Sequence, residues 1–182
     1  MKNILAVCAL AFAGAAFATT APLDAGSTAP DWTLPGSDGN EYSLSELRRD
    51  GAVVLAWFPK ADTPGCTREC QSLTRNGDKI RQFKVSYFMI SIDPIEDNTA
   101  FAQKYGADFP ILSDESKEVA EAYQVMSSFG FASRHTFYIG ADGRILEIDR
   151  NVNADTAAED IVATLERLGV EKRAAPESAA GR

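Results

Sequence analysis

Gly51-Ala52-Val53-Val54-Leu55-Ala56-Trp57-Phe58-Pro59-Lys60-Ala61-Asp62-Thr63-Pro64-Gly65-Cys66-Thr67-Arg68-Glu69-Cys70 holds a strand, a stop and a helix start in one short stretch. The run to Phe58 is apolar, β-branched and aromatic without alternation, the pattern of a central strand covered on both faces. Pro59 ends it, because proline donates no ladder bond. Thr63 reads as an N-cap, Pro64 as the first helical residue, and Gly65 follows. On this register Cys66 lies in the first turn, where unpaired N–H groups and the helix dipole favour an anion over a neutral thiol. The stretch predicts cysteine chemistry.

Outward from it, a helix is expected from about Thr63 to Gln82, interrupted or ended near Gly77, followed by a second core strand over Val85–Ile92. Before it, Trp32–Leu34 and Glu41–Leu44 flank Ser37-Asp38-Gly39-Asn40, a hairpin with Asp-Gly turn chemistry, and Ser43–Arg49 reads as a short helix. After it come a helix near Asp97–Tyr105 stopped by Gly106, an edge-like strand at Phe109–Leu112, and a helix over Ser116–Val125. Thr136–Ile139 and Arg144–Ile148 flank Ala141-Asp142-Gly143 as a second hairpin. Thr156–Leu168 is amphipathic through Ile161, Val162, Leu165 and Leu168, and Gly169 ends it. Strands alternating with helices, closed by an antiparallel hairpin, imply an α/β fold with a central mixed sheet flanked by helices.

Lys2, the apolar stretch Ile4–Phe17 and the Ala16-Phe17-Ala18 ending read as a secretory signal peptide over residues 1–18. Export is therefore expected, to the periplasm if the source is Gram-negative. Cys8 lies inside that segment and is set aside. A leader over 19–27, one domain over 28–169 and a polar, disordered tail over 170–182 complete the organisation. The formal charge of −8 disfavours nucleic acid and anionic membranes as partners. Two cysteines four apart do not make a disulfide framework, so their presence in an exported chain invites a redox or metal explanation.

Pro59, Thr63 and Cys66 reproduce the proline, three residues, threonine, two residues, cysteine pattern of peroxiredoxins, thiol peroxidases of the thioredoxin-like fold. The Thr-Pro-Gly-Cys-Thr run after Trp-Phe-Pro-Lys is especially similar to the bacterioferritin-comigratory, or Q-type, branch. Arg134, in Arg134-His135-Thr136-Phe137-Tyr138-Ile139, matches that family's second active-site arginine. The resemblance runs from Ala29 through Leu168. It departs at one point: the branch commonly places a resolving cysteine five residues after the first, where this chain has Gln71, with Cys70 one residue earlier.

The resemblance implies that the Cys66 thiolate attacks a peroxide oxygen and becomes a sulfenic acid. Arg134 would donate to sulfur and peroxide, Thr63 would hydrogen-bond the peroxide, and Pro59 would shield the site from water. Cys70 would resolve the sulfenic acid as an intramolecular disulfide, which a thioredoxin-like protein would reduce. No metal or organic cofactor is needed, and a monomer or weak dimer is expected. Ionisation alone does not explain a fast peroxidase. Lowering a thiol pKa from about 8.5 to about 6 gains roughly thirtyfold in thiolate, of which reduced nucleophilicity returns roughly tenfold. Orientation and charge stabilisation must supply the rest.

Blander readings stand beside these. Thr63 caps a helix whether or not it meets a peroxide, Glu69 reads equally as an arginine-orienting residue or an exposed helical glutamate, and Arg68 reads as surface. Phe129-Gly130-Phe131 suits core packing better than an apolar entrance or a partner surface. From another class comes an exported copper-binding metallochaperone of the same fold, with Cys66, Cys70 and the lone His135 as ligands to Cu(I). A disulfide reductase would want two residues between its cysteines, and this chain has three.

Overall fold

The computed structural model describes residues 21–174, so the segment read as a signal peptide, residues 1–18, lies outside the described residues. Among the described residues, seven strands and five helices follow in the order β1 (Thr33–Pro35), β2 (Glu41–Ser43), α1 (Leu44–Leu47), β3 (Ala52–Trp57), α2 (Pro64–Ile80), β4 (Val85–Ser91), α3 (Ile95–Tyr105), β5 (Ile111–Ser113), α4 (Glu118–Ala122), β6 (Thr136–Ile139), β7 (Ile145–Asp149) and α5 (Ala157–Arg167). Five strands form a mixed sheet in the order β5-β4-β3-β6-β7, parallel on the β5-β4-β3 side and antiparallel beyond β3. β1 and β2 form a separate antiparallel hairpin, as their turn chemistry predicts: Gly39 takes φ +85°, and Asp38 accepts from Asn40 and the Tyr42 hydroxyl.

Every residue of β3 is buried because both faces are covered. Ala52, Val54 and Ala56 face the core beneath α2, α3 and α5, together with Phe58, Leu73, Phe101 and Leu165. Val53, Leu55 and Trp57 face the opposite core, with Trp32, Leu44, Tyr123 and Phe137. The period of two along one strand thus serves two cores.

In α2, Cys66, Glu69, Cys70, Leu73, Gly77 and Ile80 are buried at three- and four-residue spacings, one continuous stripe. The helix runs unbroken through Gly77, contrary to the sequence expectation. A Cβ there would lie 2.4 Å from the Tyr87 hydroxyl, so the glycine serves packing and not termination. Further on, Gly106 ends α3 in the left-handed conformation (φ +65°), and β5 lies at the sheet edge as read. α4 is shorter than expected, because Lys117 and Gln124 at either end adopt positive φ.

Backbone pairing continues on both sides of residues 28–169, and residues 175–182 of the expected tail lie outside the described residues. Gly26, Ser27 and Ala29 exchange backbone hydrogen bonds with Ile145 and Gly143, which docks the end of the leader on the β6–β7 hairpin. At the other end Lys84 donates to Glu171 O and Arg173 donates to Gln82 O, so the chain beyond Gly169 pairs beside Phe83. A polar, alanine-rich composition conceals such backbone pairing.

Candidate active site

β3 and β6 are antiparallel neighbours with Ala56 opposite Thr136. The chain leaving β3 and the chain entering β6 therefore emerge at the same end of the sheet. Trp57 N donates to His135 O at 2.9 Å, which fixes the segment carrying Arg134 beside the one that leads to Cys66. Pro64 opens α2, and Cys66 lies in its first turn with no exposed surface.

Arg134 Nη2 donates to Cys66 Sγ at 3.2 Å. The other terminal nitrogen, Nη1, donates to Glu69 Oε2, so one guanidinium bridges sulfur and carboxylate across a turn of the helix. Gly65 leaves room for it, since a Cβ there would stand 3.1 Å from Nη2. Burial of Arg134 favours loss of its proton, but the nearby Glu69 and Cys66 outweigh that and raise its pKa. The Glu69 pKa is raised as well, which for a carboxyl favours the neutral form. Burial pushes its carboxyl up to about 7 against the pull of Arg134, and its second oxygen, Oε1, accepts no hydrogen bond among the described residues, which supports that direction. The reading of Glu69 as an exposed helical residue is thus overturned: its spacing from Cys66 puts it on the buried stripe.

Thr63 occupies the N-cap position but makes no side-chain cap; its Oγ1 donates to Lys60 O at 2.9 Å. Its hydroxyl proton is committed to that carbonyl, which leaves lone pairs for an incoming donor. Pro59, half-buried, links Phe58 to this loop. Cys70, one turn after Cys66, is buried among the apolar side chains beneath α2. Burial pushes its thiol up to about 11, with a smaller opposing effect of Thr74. Both cysteines are free.

His135 follows Arg134 on the segment entering β6. Its ring is half-buried, and burial, then Arg150, lowers its pKa. Among the described residues no three His, Cys, Asp or Glu side chains converge to hold a metal, so the geometry lends the copper reading no support. Phe129 and Phe131 are 85% and 46% exposed, so core packing is not their role. They lie on a tight loop whose tip, Gly130, has φ +81° and whose base pairs Met126 with Ala132. Arg68 is tied to Asp155 at 2.9 Å and to Pro64 O at 3.2 Å, contacts that its exposed position in the sequence did not suggest. Asp93, just past the end of β4, reaches the Lys60–Thr63 loop by accepting from Ala61 N.

Residues 25–148 match the AhpC/TSA family. The chain is 38% identical over 132 residues to peroxiredoxin Bcp of Escherichia coli, which covers 68% of this chain and 83% of that protein. It is 33% identical over 148 residues to a putative peroxiredoxin of Mycobacterium tuberculosis, covering 79% and 96%. The crystal structure of peroxidoxin BcpB from that organism superposes with a TM-score of 0.73 at 33% identity, covering 80% of this chain and 97% of its own. A PrxQ mutant from Xylella fastidiosa shares the fold at a TM-score of 0.75 and 24% identity, covering 82% and 99%. With the thiol, the arginine and the thioredoxin-like sheet in one arrangement, the chain belongs to the AhpC/TSA family, the thiol peroxidases called peroxiredoxins.

Proposed function

We propose that Cys66 is the peroxidatic thiol and that its thiolate attacks the terminal oxygen of a hydroperoxide. Sulfur gains a hydroxyl, the O–O bond breaks, and the departing oxygen leaves as water or an alcohol once protonated. The observation that carries this reading is the 3.2 Å contact from Arg134 Nη2 to Cys66 Sγ, a charged donor held by Glu69 beside the sulfur. An in-line peroxide would meet that guanidinium where negative charge develops, and removal of one such donor typically costs about 10²–10³ in rate. Thr63, with its proton given to Lys60 O, accepts the peroxide O–H and orients it. Pro59 covers the approach and keeps bulk water out.

Cys70 then attacks the sulfenic sulfur, expels water and closes a Cys66–Cys70 disulfide. Helical residues four apart hold their Cβ atoms about 5–6 Å from each other, whereas a disulfide needs about 3.5–4.5 Å. The first turn of α2 must open, and Pro64-Gly65 at its start makes that end of the helix the one to yield. A thioredoxin-like dithiol completes the cycle by exchange. We further place the enzyme outside the cytoplasm, on the strength of residues 1–18, and as a monomer or weak dimer.

Stopped-flow reaction of the reduced protein with hydrogen peroxide tests the scheme. Wild type loses two thiols rapidly, Cys70→Ser loses one, and Cys66→Ser loses none. A Cys70 still free in peroxide-treated wild type, with Cys66 held as a stable sulfenic acid, removes the second cysteine from the mechanism.

A further inference from the structure

We infer that Asp93 is a positioning residue for the peroxide reaction, acting through a single peptide plane on the hydroxyl of Thr63. The inference rests on Thr63 orienting the peroxide as proposed above. Asp93 follows β4 and is 7% exposed. Its Oδ2 accepts from Ala61 N at 2.8 Å and from Ser91 Oγ at 3.0 Å, while Lys60 Nζ stands 3.6 Å from Oδ1. Ser91 Oγ in turn accepts from Asn98 Nδ2 at 3.1 Å and from Asp93 N at 3.2 Å. Asn98 also donates to Leu112 O at 3.1 Å, and the Ser113 hydroxyl donates to Asp93 O. Ser91, Asn98 and Ser113 are all buried. Ser91 of β4 therefore holds the carboxylate directly, Asn98 of α3 steadies Ser91, and Ser113 of β5 holds the Asp93 backbone carbonyl.

What it grips is the loop between β3 and α2, which belongs to neither element and passes through a left-handed residue, Asp62 at φ 60°. The Ala61 N–H and the Lys60 C=O are the two ends of one peptide unit. That unit is planar and trans, so fixing the direction of the N–H fixes the direction of the carbonyl. The same carbonyl accepts the Thr63 hydroxyl at 2.9 Å. Asp93 and Thr63 thus hold opposite ends of one rigid plane, and the buried carboxylate determines which way the Thr63 lone pairs face. The loop's other side-chain tie, Lys104 to Asp62 at 2.8 Å, is half exposed and can add little.

The test compares wild type, Asp93→Ala, Asp93→Asn, Thr63→Val and the double variant D93A/T63V. Two second-order rates are measured on Cys66: with hydrogen peroxide, and with iodoacetamide, which makes no use of a hydroxyl acceptor. D93A slows the peroxide reaction by about ten- to a hundredfold, the range expected for misplacing an orienting group. D93N keeps an acceptor for Ala61 N–H and restores most of the rate. Because Asp93 acts through Thr63, the double variant is no slower than T63V alone. Alkylation stays within about twofold of wild type throughout. Wild-type peroxide reactivity in D93A, losses that add in full in the double variant, or alkylation that falls in step with the peroxide rate each overturn the inference. Should D93A not fold, Asp93→Glu, which displaces the carboxylate by one methylene, carries the same expectations. Rapid peroxide reaction in Cys66→Ser would instead overturn the site itself, and a slow T63V beside a fast D93A would overturn only the role of Asp93.

Discussion

The Nη2 atom of Arg134 lies 3.1 Å from where a Cβ on Gly65 would stand, so the absence of a side chain at Gly65 is what lets the guanidinium cross the first turn of α2 and reach Cys66. Gly65→Ala has two opposing effects. It gains helix propensity, up to about 1 kcal/mol, yet displaces a guanidinium that Glu69 prevents from moving freely. Stability in urea should hold or rise while the peroxide rate falls by about three- to tenfold. A parallel loss of stability and rate would contradict this.

Replacing the guanidinium itself costs more. Arg134→Met should slow peroxide reduction by about 10²–10³. Arg134→Lys should recover only part of that, because an ammonium supplies charge without the fork that serves sulfur and Glu69 together. Stopped-flow rates of the two variants, compared at equal thiol content, decide it.

Glu69 makes stability depend on pH. Its carboxyl titrates near 4.5 in the unfolded chain and is pushed up to about 7 by burial. Between those values the folded state holds a proton that the unfolded state has lost, so its contribution to stability declines as pH rises from about 4.5 to about 7. Glu69→Gln removes this dependence. The difference in melting temperature, variant minus wild type, should grow across that window and level off above it. A difference that stays flat from acid to neutral pH refutes the assignment.

Burial raises the Cys70 thiol to about 11, so within the folded helix it is protonated and unreactive at neutral pH. Loss of the second thiol should therefore depend on local opening. Sub-denaturing urea should accelerate disulfide formation while leaving the first, peroxide-dependent step almost unchanged, and raising pH from 7 toward 8 should accelerate it by up to about tenfold. Equal urea responses of both steps would show that resolution needs no opening.

Gly77→Ala sets helix propensity against packing. The gain is at most about 1 kcal/mol, whereas the new Cβ would sit 2.4 Å from the Tyr87 hydroxyl and 3.0 Å from an Arg81 nitrogen. Overpacking typically costs about 1–3 kcal/mol, so the variant should be less stable by urea denaturation. Peroxide reactivity should be retained, because the site is three turns away along α2.

Local chemistry made much of this molecule legible. The unalternating run through Phe58 announced a strand with two buried faces, the glycines of both hairpins marked their turns, and Thr63-Pro64 placed the start of α2. Arg134, named only by the resemblance to peroxiredoxins, is brought to the sulfur by the fold. What sequence could not supply were relations between distant segments. Glu69 is an ordinary helical glutamate until the segment entering β6 delivers Arg134 to it, and Asp93 is one acidic residue after a strand until its carboxylate meets Ala61 across 32 positions. Gly77 looked like punctuation because its reason, Tyr87, belongs to the next strand. The Thr63 cap failed for a local reason: its hydroxyl found the Lys60 carbonyl before the helix amides.

The closed environment of Cys66 has a consequence for who can visit it, and when. Cys66 is 0% exposed, so in the folded helix its sulfur offers no surface on which a folded protein could dock. On the cycle proposed above, a reductant first meets that sulfur after oxidation has opened the helix. The two substrates must then alternate, one departing before the other arrives, and double-reciprocal plots at fixed reductant concentrations should run parallel. On that cycle the enzyme would draw electrons only in proportion to the oxidant already consumed, and idle when there is none.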